Sequence, residues 1–311
     1  MYEPVFSPTP LQQLDTDANG NTFFLKREDL LPYSFGGNKV RIGLQYLRDL
    51  HRKGCDHMVA YGNARSNLCR VLSNLCAGEG VPITILSPAD DDGQRREACN
   101  EQLCRVFGAR VVPCLKTQVA QSVQQVMDEI RRDGQRPYYI YGDCFGHGNE
   151  AVPTAAYVPV YDEIRTQGTF DIIALACGTG MTLAGLLCGR RLRDGSERIL
   201  GLSVARDRQN ALAHTLAYAN AWLDEPNRLA QADVEIVDDY RRVYGDYGED
   251  VENAIRHMLR TYGVPMDGTY VGKAYAALRQ LAARENWQNQ RVLFIHTGGT
   301  PLFFDAIPHL L

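Results

Sequence analysis

"IIALACGTGMTLAGLLCG", residues 172–189, decides how the chain is read. It is nearly as long and apolar as a segment that crosses a bilayer. Its middle, however, is Gly178-Thr179-Gly180-Met181-Thr182, a cluster of turn residues where a span would stay continuous. The stretch therefore reads as a buried strand, a tight loop and a helix. Backbone N–H groups of such a loop, with the helix N-terminus behind them, can cradle a phosphate, and Thr179 and Thr182 can add hydroxyl donors. A dinucleotide fingerprint needs glycine, or nearly so, at 183, where Leu183 stands, and a Walker loop needs Gly-Lys-Ser/Thr, which is absent. One phosphate suits the loop better than a pyrophosphate. A plain strand-to-helix turn would give the same letters.

The alternation of strand and helix continues in both directions from this point. Upstream, strands are expected at 22–29, 56–62, 81–88, 110–115 and 136–142. Helices are expected to start at Lys39 and at 66, 95 and 117, with another reaching to about 167. Downstream come a helix from Thr182, a strand at 198–204, helices near 207–221, 249–261 and 272–285, and a closing strand in 291–299. Repeated strand-helix units imply an α/β fold of parallel twisted sheets covered by helices on both faces. At 311 residues the chain exceeds the roughly 250 at which single cores divide, so two lobes are expected. The compact run 53–145 makes a small α/β domain, and residues 1–52 and 146–311 share a larger one. Ligands of such sheets sit beyond the carboxyl ends of strands. Four Gly-rich or polar loops lie at such ends: 33–39, 61–67, 177–182 and 296–300.

Composition narrows the partners. Lys plus Arg (33) against Asp plus Glu (37) leaves a small negative charge, and no basic stretch stands out, so neither nucleic acid nor an anionic membrane is an expected partner. The cysteine count is odd (9), and no pair has C-x-x-C spacing. Metal is not expected, and a reduced, cytoplasmic compartment is. The opening MYEPVFSPTPLQQL lacks the basic and apolar regions of a secretory signal.

"YSFGGNKVRIG", residues 33–43, sets Lys39 behind Gly36, Gly37 and Asn38 at the start of an amphipathic helix. Glycines let another molecule approach the main chain, and the helix dipole disfavours a charged amine there. Lys39 is thus a candidate amine nucleophile, although Gly-Gly-Asn is also an ordinary turn and cap. "YGNARSNLCR" offers Ser66, Asn67 and Arg70, with either Ser66 or Asn67 equally readable as a helix N-cap. "IHTGGTPLFF" offers Thr297 beside His296, which is given no catalytic role. "TYVGKAYAAL" offers Tyr270 and a second lysine, Lys273, which competes with Lys39 as nucleophile but is expected rather to cap or pack near its helix start.

The ordered set FGGNK, SN with an arginine three residues on, GTGMT, DGTYVGKAYAAL and HTGG resembles the D-cysteine desulfhydrase and 1-aminocyclopropane-1-carboxylate deaminase family. That resemblance spans about residues 6–308. It implies a pyridoxal-phosphate enzyme of the tryptophan-synthase β-like fold, with Lys39 as the lysine bonded to the cofactor. It further implies that Asn67 serves the cofactor's ring hydroxyl and Gly178, Thr179, Gly180, Met181 and Thr182 its phosphate, with Thr297 beside the pyridine nitrogen. Ser66 and Tyr270 would face the substrate. A homodimer acting on a small amino acid, by β-elimination to pyruvate, ammonia and sulfide, follows from the same resemblance. The alternatives are cysteine-synthase-like β-replacement or a biosynthetic reaction on a modified amino acid, then aminocyclopropane-carboxylate deamination, and, outside enzymes, a cofactor-binding regulatory protein without turnover. Four positions depart from the family pattern: Leu68, Met181, His147 within GHGN, and Val271. All four are expected on or near the substrate side. Val271 and Thr297 in place of the deaminases' glutamate and leucine argue against efficient cyclopropane opening.

Overall fold

The computed structural model describes residues 7–89, 98–242 and 246–310. Two sheets organise the described residues. In chain order the elements begin with β1 (Leu11–Thr16), β2 (Thr22–Lys26), α1 (Lys39–Arg52), β3 (His57–Tyr61), α2 (Asn67–Glu79) and β4 (Ile83–Pro88). There follow α3 (Cys99–Val106), β5 (Arg110–Cys114), α4 (Val119–Arg132), β6 (Pro137–Tyr139), α5 (Ala151–Thr154) and α6 (Val158–Gln167). The series continues with β7 (Ile172–Cys177), α7 (Met181–Leu192), β8 (Arg198–Ser203), α8 (Arg208–Trp222) and β9 (Glu235–Val237). It ends with α9 (Glu249–Tyr262), α10 (Val271–Arg284), β10 (Arg291–Ile295) and α11 (Thr300–Leu310).

The larger sheet has the order β1-β2-β10-β7-β8-β9 and the smaller one β5-β4-β3-β6. Every pairing is parallel except that of the edge strand β1 with β2. Strand side chains alternate between faces, so both faces of the large sheet are apolar. Val292 and Phe294 of β10 join the α9 and α10 residues Val251, Ile255 and Leu278 in one core. Leu293 and Ile295 point the other way, into a cluster with Val40 and Ile42 of α1 and Leu183 of α7. That second cluster runs on through Leu72 of α2 to Met58 and Ile85 of the small sheet, so α1 and α2 join the two sheets.

The stretch 172–189 is β7, loop and α7, and no helix among the described residues is long and apolar enough to cross a membrane. Several expectations need adjustment. The strand at 22–29 stops at Lys26, because Glu28–Leu30 turn into a 3-10 helix. The helix ending near 167 is two helices, broken where Pro159, which lacks an N–H, starts a fresh first turn. Residues 95–97 of the helix expected after β4, and residues 1–6 and 311 of the expected large domain, lie outside the described residues. Strands β1 and β9 and helix α11 were not anticipated from the pattern.

Candidate active site

A cavity of about 680 Å³ opens where the carboxyl ends of both sheets face one another. Its walls come from the residues after β3, β5, β6, β8 and β10, from the ends of β4 and β7, and from the start of α1. Ten of the residues singled out in the sequence line it: Lys39, Ser66, Asn67, Gly178, Thr179, Gly180, Met181, Thr182, Tyr270 and Thr297. Its size is that of a pocket for a small ligand.

Lys39 is the first residue of α1, and its position is over-determined. Just upstream, Tyr33, Ser34, Phe35, Gly36 and Gly37 all have positive φ, a left-handed run that costs energy at the three non-glycine positions. A Cβ at Gly36 would lie 1.9 Å from the carbonyl oxygen of Asp29, and one at Gly298 would lie 2.5 Å from Cα of Gly37. The loop therefore stacks glycine upon glycine against the segment after β10. Asn38 N–H donates to the Thr297 carbonyl at 3.1 Å. Asn38 does not cap the helix: its backbone is helical, and its amide donates across the cavity wall to Thr182 Oγ1 at 2.8 Å. Two residues on, Arg41 forks onto the buried carboxylate of Glu28 at 2.8 and 2.9 Å, which anchors the helix start. Burial pushes the Lys39 amine down to about 8, opposed only by the nearby Cys177 thiol. A neutral amine is thus accessible near neutral pH.

The loop after β7 has the form expected of an anion cradle. Gly180 is the N-cap of α7, with φ of +91°. A Cβ there would stand 2.6 Å from Thr215 Oγ1, so the position excludes side chains twice over. The first-turn N–H groups of α7 have no intrahelical acceptors and face the cavity with the positive end of the helix dipole. The Met181 side chain is fully buried and leaves its N–H in this turn.

Across the cavity, Ser66 caps α2: its Oγ accepts from Cys69 N–H at 3.2 Å. The cap reading of Ser66 therefore holds alongside its place on the cavity wall, and its hydroxyl proton remains to donate. The Asn67 carbonyl oxygen accepts from Asn100 at 2.9 Å and from Arg70 at 3.3 Å, which leaves the amide NH₂ as the group on offer. Arg70 is entirely buried; its other arm reaches Ser34 Oγ at 2.9 Å, tying the left-handed loop before Lys39 to Asn67.

On the remaining wall, Tyr270 precedes α10 and Thr297 follows β10. Asp267, which sequence reasoning passed over, accepts the N–H groups of Thr269, Tyr270 and Val271 at 2.8, 2.7 and 3.2 Å. It fixes the entry to α10, and burial lifts its carboxyl to about 6. A D-G-T-Y run before an apolar helix was the available signal, since Asp is a helix-start acceptor. His296 is fully buried, with Nε2 2.8 Å from the Pro265 carbonyl and Nδ1 accepting from Gly298 N–H at 3.2 Å. Both nitrogens face backbone groups, and Nδ1 also lies 3.7 Å from the buried Asp29 carboxylate. Lys273 is buried, donates to the Val204 carbonyl at 3.2 Å and does not line the cavity.

The departures from the family pattern divide. Leu68 and Met181 line the cavity. His147 and Val271 do not, which corrects their expected place near the substrate. His147 is exposed, 3.6 Å from Glu150. Val271 stands one residue past Tyr270, and that helical step of about 100° turns it from the cavity into the α9–α10 core. Arg206 at the end of β8 and Arg65, Lys116 and Asp246 also line the cavity, and none was singled out in the sequence.

A phosphorylated aldehyde with a planar ring finds its donors here. The Gly180 cradle fits a phosphate, the Asn67 NH₂ a ring oxygen, and the buried, low-pKa amine of Lys39 a carbonyl carbon.

Comparison with known proteins agrees. The profile of the pyridoxal-phosphate dependent enzymes matches residues 2–298. A D-cysteine desulfhydrase of Klebsiella pneumoniae (strain 342) is 30% identical, over 99% of this chain and 96% of its own. The crystal structure of an ACC deaminase homologue superposes with a TM-score of 0.86 at 26% identity, covering 99% of this chain and 95% of the other. Cysteine synthase from Entamoeba histolytica shares the fold, with a TM-score of 0.68 at 18% identity over 98% and 89% of the two chains. With its lysine, cradle and two-sheet cavity in place, the chain belongs to the pyridoxal-phosphate dependent enzymes of tryptophan-synthase β-like fold, and pyridoxal phosphate is its cofactor.

Proposed function

We propose that the protein is a lyase that eliminates a β-leaving group from a small amino acid, with D-cysteine as the type substrate and pyruvate, ammonia and sulfide as products. The observation that carries the reading is one cavity that holds a low-pKa lysine, a phosphate cradle and a hydroxyl-lined wall, in a chain 30% identical to a D-cysteine desulfhydrase. Bound pyridoxal phosphate supplies an aldehyde that captures amines and a ring that accepts the electron pair left at Cα. Lys39 Nζ would hold the cofactor's aldehyde carbon and, as a neutral amine, would take a proton from the substrate's Cα. Burial keeps it neutral often enough to do so. Asn67 would donate to the ring hydroxyl, and residues 178–182 would hold the phosphate. Ser66, whose lone pair serves Cys69 N–H, donates its proton to the substrate carboxylate. Tyr270 closes the substrate side. Thr297 offers the ring nitrogen a hydroxyl and no charge.

A neutral partner at the ring nitrogen makes a shallower electron sink than a carboxylate would. Thiolate is a good leaving group and needs less stabilisation than an unactivated cyclopropane. We therefore expect sulfide release from D-cysteine to outrun 2-oxobutyrate formation from 1-aminocyclopropane-1-carboxylate, measured in direct competition. Faster ring opening would overturn the assignment, and pyruvate formation only when a second thiol is supplied would favour β-replacement.

The same proposal includes two domains, 1–52 with 146–311 and 53–145, in line with the two sheets. Limited proteolysis that cuts near 53 and 145 would support it. A homodimer, carried by the family resemblance, is tested by sedimentation. A cytoplasmic location is supported by cysteines that are all free thiols.

A further inference from the structure

Arg206 lines the cavity three residues beyond the end of β8, and the segment that carries it, 204–206, is bonded at both ends. Ser203 Oγ donates to the Arg206 carbonyl at 2.6 Å, and Lys273 Nζ donates to the Val204 carbonyl at 3.2 Å. Its guanidinium reaches back to the loop after β7, with Nη1 3.5 Å from the Thr179 carbonyl oxygen. Among the described residues it forms no ion pair. The Cys177 thiol, directly before that loop, feels its positive charge, as does the His214 ring.

A phosphate monoester carries a charge of about −1.5 to −2 near neutral pH, whereas a helix N-terminus offers roughly half a positive charge. Threonine hydroxyls add none, and the Lys39 amine is committed to the aldehyde. Arg65 and Lys116, the other arginine and lysine on the cavity wall, stand on loops of the smaller sheet. The loop and helix N-terminus alone offer less than the phosphate's full charge, and Arg206 is the cation at their edge.

We propose that Arg206 is the cationic clamp of the phosphate site: its guanidinium fork donates to the phosphate oxygens of pyridoxal phosphate from the β8 side, while the α7 N-terminus donates from beneath. The inference rests on the reading of residues 178–182 as the phosphate loop. Guanidinium suits the task because its planar donors match phosphate oxygens in pairs, which an ammonium cannot do.

The test uses two probes that carry no aldehyde and so bind without reacting with Lys39: pyridoxine 5′-phosphate and pyridoxine. Their dissociation constants are measured by fluorescence on the cofactor-free protein and on three variants, Arg206→Met, Arg206→Lys and Gly180→Asp. Arg206→Met should weaken pyridoxine 5′-phosphate about 10- to 100-fold, as expected for a lost charge-assisted pair, and leave pyridoxine within about twofold. Arg206→Lys should lose several-fold, again only for the phosphorylated probe. That variant carries the test if the methionine protein does not fold. Equal loss for both probes, or no loss for either, would overturn the clamp. Should Gly180→Asp discriminate between the probes while neither Arg206 variant does, the clamp fails and the phosphate loop stands. If no variant discriminates, both readings fall.

Discussion

Replacing Lys39 by methionine removes an amine and keeps a chain of similar bulk, and the cofactor-free protein should become more stable for it. The folded protein holds this amine at about 8, against 10.5 for an ordinary lysine. At about 1.4 kcal/mol per pH unit, that gap costs the parent about 3 kcal/mol wherever both folded and unfolded states are protonated. The sign follows from proton counts. Between pH 8 and 10.5 the unfolded chain still holds a proton that the folded one has released, so the parent's stability climbs through that window. Below 8 the full penalty remains, and above 10.5 it is gone. Lys39→Met should therefore exceed the parent by about 3 kcal/mol at pH 7, with the difference closing to near zero by about pH 10.5. Lys273, also pushed down to about 8 by burial, titrates in both proteins and cancels in the difference. Urea unfolding of the two cofactor-free proteins at pH 7, 8, 9 and 10, followed by tryptophan fluorescence, reads the quantity. A difference that is absent at pH 7, or that widens as pH rises, would refute the claim that Lys39 is a desolvated amine.

Borohydride reduction of the cofactor-loaded protein should mark Lys39 on peptide mapping, and a mark on Lys273 would overturn the assignment. Ser66→Ala should cost about 1 kcal/mol of stability as a lost cap, whereas Ser66→Gly should cost only a few tenths. Turnover should fall by more than about tenfold in both if the hydroxyl meets the substrate, since a lost hydrogen bond to a charged group is worth 1.5–3 kcal/mol. Activity that follows stability instead, with the glycine variant near the parent, would leave Ser66 as a cap alone.

The location of the site was legible because chemistry in parallel sheets collects at strand ends. Those ends are marked by glycine, serine and threonine after apolar runs, as at 36–39, 66–67, 178–182 and 297–299. The long helices were legible for a similar reason, since their apolar periodicity is set by burial on one side. What escaped had weak or non-local signals. β1 is an edge strand whose LQQLDT has only Leu14 buried, so its polar surroundings hide the alternation. β9 is three residues long, too short for any period to show. Arg206 matters through a carbonyl 27 positions away in sequence, which no local pattern encodes. Val271 was misplaced because adjacent helical residues point about 100° apart, so a motif locates the helix more surely than it locates each side chain.

The pairing of β2 with β10 has a consequence for synthesis. Lys39 is made well before β10, but the loop that carries it is stacked against Gly298 and bonded to the Thr297 carbonyl. The strand that delivers those residues, 291–295, is the last of the large sheet to be made and inserts between β2 and β7, strands already translated. The nascent chain has no complete cofactor site until β10 and the residues just after it arrive. A chain cut short before residue 291 would carry every residue of the phosphate loop, along with Lys39 itself, and still lack the place where they meet.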